Sequence, residues 1–251
     1  LITASYARRE PKHLGVRVTD IDGIHHLAIT TKDMKGQLDF FCNVLGGELR
    51  ALYWMHGVEH TFHGFVRFND SSYIAFVQPP AERVPEPVFG VSHAGSAAGP
   101  TARGAMQHVA FNVASFDDLL VMRDRIRSHG VPVLGPIDHG MCQSMYFAGP
   151  DNLSLEVATS AAAILAERWV DPEVVELCGI DAVQLAAFLH PAPPKPHDTP
   201  VAQPAYDPTK PHMVYDDPAM YQRVITVPDD IIWRIASETT PPVPAVTGLA
   251  G

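Results

Sequence analysis

Ile24-His25-His26-Leu27-Ala28-Ile29 and Met106-Gln107-His108-Val109-Ala110-Phe111 state one pattern twice, a histidine at the head of an alternating apolar strand. Each is followed by a polar turn and an amphipathic helix that stops at glycine. The histidines His26 and His108 lie 108 − 26 = 82 residues apart, and the stopping glycines, Gly47 and Gly130, lie 130 − 47 = 83 apart. A spacing kept this closely over a strand and a helix marks an internal duplication.

In the first copy Asp33 is the expected helix cap, and Leu38, Phe41, Val44 and Leu45 share one helical face before Gly46-Gly47 ends it. Strands are expected over 48–56, 60–69 and 72–78, with Asn69-Asp70 as the turn between the last two. In the second copy a strand covers 106–113, Ser115 is the cap, and Leu119, Met122 and Ile126 form the apolar face of a helix running to Gly130. Strands then fit 131–138, 143–148 and 153–158, with Gly149-Pro150-Asp151-Asn152 as a turn. Both copies therefore read as βαβββ. The expected fold is α+β, two paired modules forming one open, barrel-like metal cleft, with a helical and proline-rich C-terminal extension.

The boundaries follow. Residues 1–22 are an N-terminal lead-in, 23–79 the first module, 80–104 a linker rich in Pro, Gly, Ala and Ser, and 105–159 the second module. Residues 160–190 read as a helical segment with no counterpart in the first module. The last stretch, 191–251, holds 13 of the 23 prolines and reads as an extended arm. Its apolar residues, Tyr206, Met213, Val214, Tyr215, Tyr221, Ile231, Ile232 and Trp233, are too many for a disordered tail. Proline interrupts them too often for a core of their own. The arm is expected to lie across another surface, either at a homodimer interface or over the metal cleft.

Composition narrows the function classes. Apolar residues make up 46% and charged residues 18%, ordinary values for a globular chain, and 251 residues suffice for a substantial core. The net charge of −10 argues against nucleic acid and anionic membrane as partners, since both need a basic face. Cys42, Cys142 and Cys178 are odd in number and lack metal or redox spacing. A polar, basic start is unlike a signal peptide. A reduced, cytoplasmic setting is therefore expected.

The duplication keeps a metal-capable side chain at one place in both copies, and Asn152-Leu153-Ser154-Leu155-Glu156-Val157 adds a carboxylate on an otherwise apolar strand. A carboxylate there needs a partner, and a cation is the natural one. Two imidazoles and one carboxylate, His26, His108 and Glu156, form the facial ligand set of non-haem ferrous oxygenases. Neutral imidazoles and one carboxylate would leave a monocationic site, suited to a substrate monoanion. The first copy has no acid where Glu156 sits in the second, so symmetry does not supply a fourth ligand.

The duplicated βαβββ unit with these histidines resembles the vicinal oxygen chelate superfamily over residues 23–159. The stretch from Ile137 to Glu156, with His139, Met145-Tyr146, Pro150 and Glu156, resembles the signature of type I extradiol ring-cleaving dioxygenases. Gly149 and Asn152 depart from that signature, which has an acidic or small polar residue and then a glycine in the same turn. The resemblance implies catalytic roles for Tyr146, as hydrogen-bond partner of a metal-bound substrate oxygen, and for His139, as an acid/base or donor. It also implies a histidine on the last strand of the preceding module, where this chain has Ser72 and Tyr73. His25, His60, His63 and His93 are the candidates to replace it.

The function implied is an Fe(II)-dependent dioxygenase, with Mn(II) the other candidate metal, that chelates an aromatic diol of catechol or hydroquinone type and cleaves the ring with O2. The partners expected are a small aromatic substrate, O2 and further copies of the chain, as a homodimer or higher homo-oligomer. Two alternatives stand beside it. One is a metal-dependent lyase, isomerase or epimerase of the same superfamily, for which a carboxylate near Ala75 is missing. The other is a metal-free small-molecule binding protein.

Overall fold

A computed structural model describes residues 21, 23–160 and 162–244. The expected lead-in, apart from Ile21, and the last seven residues of the expected arm lie outside the described residues. The chain divides into two compact units, one built on residues 23–180 and one on 181–239.

The first unit holds both modules. The first module runs β1 (His26–Thr30), α1 (Met34–Asp39), β2 (Glu48–Trp54), β3 (Phe62–Asn69) and β4 (Ser72–Gln78). The second runs β5 (Val109–Asn112), α2 (Phe116–Ser128), β6 (Leu134–Asp138), β7 (Gln143–Ala148) and β8 (Ser154–Thr159). The two four-stranded sheets have the same order, β1-β4-β3-β2 and β5-β8-β7-β6. In each, the first strand runs parallel to the last and the remaining pairings are antiparallel. The duplication read from the histidines is thus a duplication of topology.

Local chemistry explains the elements. Asp33 caps α1 by accepting from the Gly36 amide at 2.9 Å, and a Cβ at residue 36 would strike that carboxylate at 2.4 Å. Ser115 caps α2 by accepting from the Asp118 amide at 3.1 Å. α1 continues into π-helical turns over Phe40–Val44, a widening that the apolar periodicity does not announce. Gly47 is needed because a Cβ there would lie 2.3 Å from Val66 Cγ1.

One core serves both modules. Phe41, Val66, Phe76, Leu119, Ile126, Met145 and Leu155 are fully buried in one continuous cluster. Aromatic rings join the two halves: Phe111 of β5 meets Phe68 at 5.1 Å and Phe41 at 6.2 Å between centroids. Polar contacts add direction. Arg125 of α2 donates to the Val44 and Asn43 carbonyls at 2.7 and 2.9 Å, capping the end of the first helix from the other module. Asp151, in the turn before β8, accepts from Gln37 Nε2 at 2.9 Å and Thr31 Oγ1 at 3.1 Å. Asp151 and Asn152 both take left-handed backbone angles (φ +56° each), which asparagine and aspartate tolerate better than other side chains. Asn152 can therefore stand in this turn in place of glycine.

Two short helices, α3 (Ala166–Trp169) and α4 (Pro172–Leu177), follow β8 in the same unit. The second unit carries α5 (Ala182–Leu189), α6 (Met220–Ile225) and α7 (Asp229–Ala236). The stretch read as an extended arm therefore contains helix. Its prolines stand at the edges: Pro228 immediately precedes α7, where a missing amide proton costs nothing. Tyr206, His212, Tyr215 and Tyr221 pack ring against ring within that unit, with centroids 5.7 to 6.5 Å apart.

Candidate metal centre

The matched topology assigns equivalent positions. Ala28 pairs with Ala75 and Ala110 with Glu156. Across the next ladder, Phe65 pairs with Ala75 and Tyr146 with Glu156. The second module's His108, Tyr146 and Glu156 thus correspond to the first module's His26, Phe65 and Ala75. Even the ring geometry repeats, His26 lying edge-on to Phe65 at 5.4 Å and His108 edge-on to Tyr146 at 6.3 Å. One half kept its polar groups and the other became an apolar and aromatic wall.

The second module gathers four of its polar groups. Glu156 is only 5% exposed, and its Oε2 lies 2.8 Å from His108 Nε2. A buried carboxylate without such a partner would cost several kcal/mol (order of magnitude ~3). Tyr146, its cross-strand neighbour, has a phenol pushed above its ordinary range by burial and then by the negative charge of Glu156. The hydroxyl therefore stays protonated, able to donate toward an anionic oxygen. His139 Nε2 lies 3.0 Å from the Tyr146 hydroxyl. The turn carrying His139 is fixed by Gly140, whose amide donates to Asp138 at 2.7 Å and whose φ is +83°. Trp169 of α3 covers that glycine so closely that a Cβ would meet its ring at 2.6 Å.

The first module's inner face is different. His26 Nδ1 lies 2.9 Å from His25 Nδ1, and His25 stacks on Tyr73 at 5.3 Å. His63 of β3 contacts Phe65 at 4.5 Å, its Nε2 is buried with no hydrogen-bond partner among the described residues, and burial followed by the His26 charge pushes its pKa down. His60 sits in the turn before β3 with φ +53°. His93 is committed elsewhere, its Nε2 2.6 Å from the Asp151 carbonyl. Of the four histidines considered for proton transfer, His25 and His63 share the ring cluster of this face with His26.

The three expected ligands are not all brought together. Among the described residues no three His, Cys, Asp or Glu side chains form a group able to hold a metal, so His26 stands apart from the His108–Glu156 pair. The pair itself suits a metal. Two neighbouring ligands about 2.1 Å from a first-row ion stand about 3 Å from each other, close to the spacing seen here.

Of the second module's four polar groups, His108 is the one that reaches a cavity of about 560 Å³, within the range of small-molecule sites, walled chiefly by Tyr73, Leu27, Phe68, Met106 and Phe111. It is mostly apolar, suited to a ring system carrying few polar groups. Gln107 and Asp151 are contributors that residue-type reasoning passed over. Gln107 is signalled only by standing next to His108, and Asp151 only by a turn motif.

Residues 23–157 match the family model described as Glyoxalase/Bleomycin resistance protein/Dioxygenase superfamily. The chain is 26% identical over 133 residues to biphenyl-2,3-diol 1,2-dioxygenase 2 of Rhodococcus globerulus, covering 53% of this chain and 60% of that protein. Among solved structures, a glyoxylase/bleomycin resistance protein/dioxygenase domain from Frankia sp. EAN1pec is 17% identical, with 56% of this chain and 99% of that one covered and a TM-score of 0.46. A fosfomycin resistance protein of Listeria monocytogenes, solved with Mn(II) and a dihydroxypropylphosphonic acid, is 18% identical, with 61% and 100% covered and a TM-score of 0.40.

Proposed function

This chain belongs to the glyoxalase/bleomycin resistance protein/dioxygenase superfamily, and from that premise we propose that it is an Fe(II)-dependent dioxygenase acting on an aromatic diol. The observation that carries this reading is the buried Glu156 carboxylate facing His108 Nε2 at 2.8 Å, with the Tyr146–His139 pair beside it. His26, His108 and Glu156 are the proposed ligands, one from the first module and two from the second. Mn(II) is the other candidate metal. Held by these residues, a ferrous ion would supply the chelation of a diol and the activation of O2 that ring cleavage requires.

The chain's own residues do the rest. Tyr146, held protonated, donates to a substrate oxygen in place of Glu156. His139 donates its Nε2 proton to the phenol oxygen, which orients the Tyr146 O–H toward the substrate and supplies a replacement proton if that one is transferred. The relative from Rhodococcus globerulus, by its name a biphenyl-2,3-diol dioxygenase, makes bicyclic diols a sensible first choice. Because the chain spans only three-fifths of that relative, its substrate is our inference. We further propose that the chain acts in the cytoplasm as a homodimer or higher homo-oligomer.

The separation of His26 from the pair is the one observation that favours a metal-free binding protein instead. Anaerobic purification with iron analysis, followed by oxygen uptake with catechol, hydroquinone and biphenyl-2,3-diol, decides between them. Iron near one per chain with diol-dependent oxygen uptake is expected. Bound metal with no uptake points to a lyase, isomerase or epimerase, and no metal at all to a binding protein.

A further inference from the structure

In both modules the residue before the strand histidine reaches that histidine's Nδ1. His25 does so for His26 at 2.9 Å, and the Gln107 side-chain oxygen does so for His108. The second contact has only one chemical solution. Gln107 Nε2 donates to the Ser96 carbonyl at 3.0 Å and to the Gly99 carbonyl at 3.1 Å, and only the NH2 end of the amide can do that. Its oxygen must then face the imidazole. An amide oxygen carries no proton, so His108 Nδ1 has to supply one.

That settles which ring nitrogen faces Glu156. With Nδ1–H donating to Gln107, Nε2 is the atom that exchanges a proton for a cation, and it is the atom 2.8 Å from the carboxylate. We propose that Gln107 is a positioning residue that locks His108 in the Nδ1–H form, and that the loop between the modules, through Ser96 and Gly99, holds Gln107 in place. The loop is built for this. A Cβ on Gly99 would fall 2.1 Å from the Ala94 carbonyl, so the turn that presents the Gly99 carbonyl needs glycine. His93, two residues before Gly95, ties the loop to the Asp151 carbonyl at 2.6 Å, anchoring it to the turn that leads into β8.

The metal part of this inference rests on His108 being a ligand, as proposed above; the tautomer part does not. The test uses the full chain labelled with 15N-histidine and kept metal-free, with long-range 1H–15N correlation spectra reading the protonation of each ring nitrogen. His108 Nδ1 is expected to be protonated in the parent chain. Gln107→Leu should lose that fixed proton and weaken Co(II) binding by about 10- to 100-fold, the usual effect of removing a ligand's hydrogen-bond partner. Unchanged signals from the other histidines report an intact fold. An unprotonated Nδ1 in the parent chain, or a Gln107→Leu protein with the same Nδ1 signal and the same Co(II) affinity, overturns the proposal. A Gln107-dependent Nδ1 proton in a chain that binds no Co(II) upholds the positioning role and sinks the metal reading instead.

Discussion

Ala75 occupies in the first sheet the register position that Glu156 occupies in the second, and both side chains are buried. At this equivalent place the duplicated halves differ by a carboxylate. That difference makes the pair of modules asymmetric, one half carrying donors and the other presenting rings.

Ala75 is fully buried, so Ala75→Glu introduces an unpaired carboxylate into a closed site. Its melting temperature should fall, reflecting a loss of about 3 kcal/mol or more. A variant that melts normally and binds divalent metal more tightly would mean that this position reaches the metal.

His108→Ala should abolish metal retention and oxygen uptake while the circular dichroism spectrum is preserved. His108 is partly exposed and outside the strand ladder, so its loss removes a proposed ligand and leaves the core intact. Normal iron content combined with much earlier melting would reassign it as a structural histidine.

Tyr146→Phe removes a hydroxyl and keeps the ring that packs against His108 and His139. Turnover with a diol should drop by about tenfold or more, within the range for a positioned proton donor, while iron content stays near that of the parent. Equal losses of both would make the hydroxyl a structural group.

Asp151→Ala strips Gln37 and Thr31, both buried, of their shared acceptor across the modules. The side-chain oxygen of Gln37 already lacks a partner among the described residues. Chemical denaturation should show a loss of about 1–3 kcal/mol, the cost of leaving buried donors unsatisfied. No change in the denaturation midpoint would show that the contact is dispensable for docking.

His63 has its pKa lowered by burial and then by the charge of His26. The folded state thus binds this proton less readily than the unfolded chain does. The contribution is present in full above the unfolded value of about 6.5 and is lost as pH falls through the lower folded value. Melting temperature should decline on acidification below about pH 6.5, and less steeply in His63→Leu. Parallel curves for the two proteins would remove His63 as the cause.

Much of this was legible before any coordinates. Strand periodicity after His26 and His108, the caps Asp33 and Ser115 and the stopping glycines are local signals, and every expected strand of both modules is present. The same holds for the closeness of His108 and Glu156, since His108 immediately precedes β5 and Glu156 lies on β8 beside it. What lay beyond the sequence is set by contacts across large separations. Phe111 seats against Phe68 and Phe41, and no local pattern encodes that. The helices α6 and α7 were masked by proline content, since composition does not say whether prolines fall inside a helix or at its edge. The role of Gln107 needed a three-dimensional loop to become visible.

Asp151 stands at the joint between the modules and opens the turn that leads into the strand carrying Glu156. Docking of the halves and presentation of the carboxylate are therefore one mechanical event. A cation that binds only the docked arrangement would stabilise the whole first unit in proportion to the logarithm of its concentration. Metal occupancy then becomes a gauge of folding, and a chain whose halves have parted would lose its ion and its tertiary structure in the same transition.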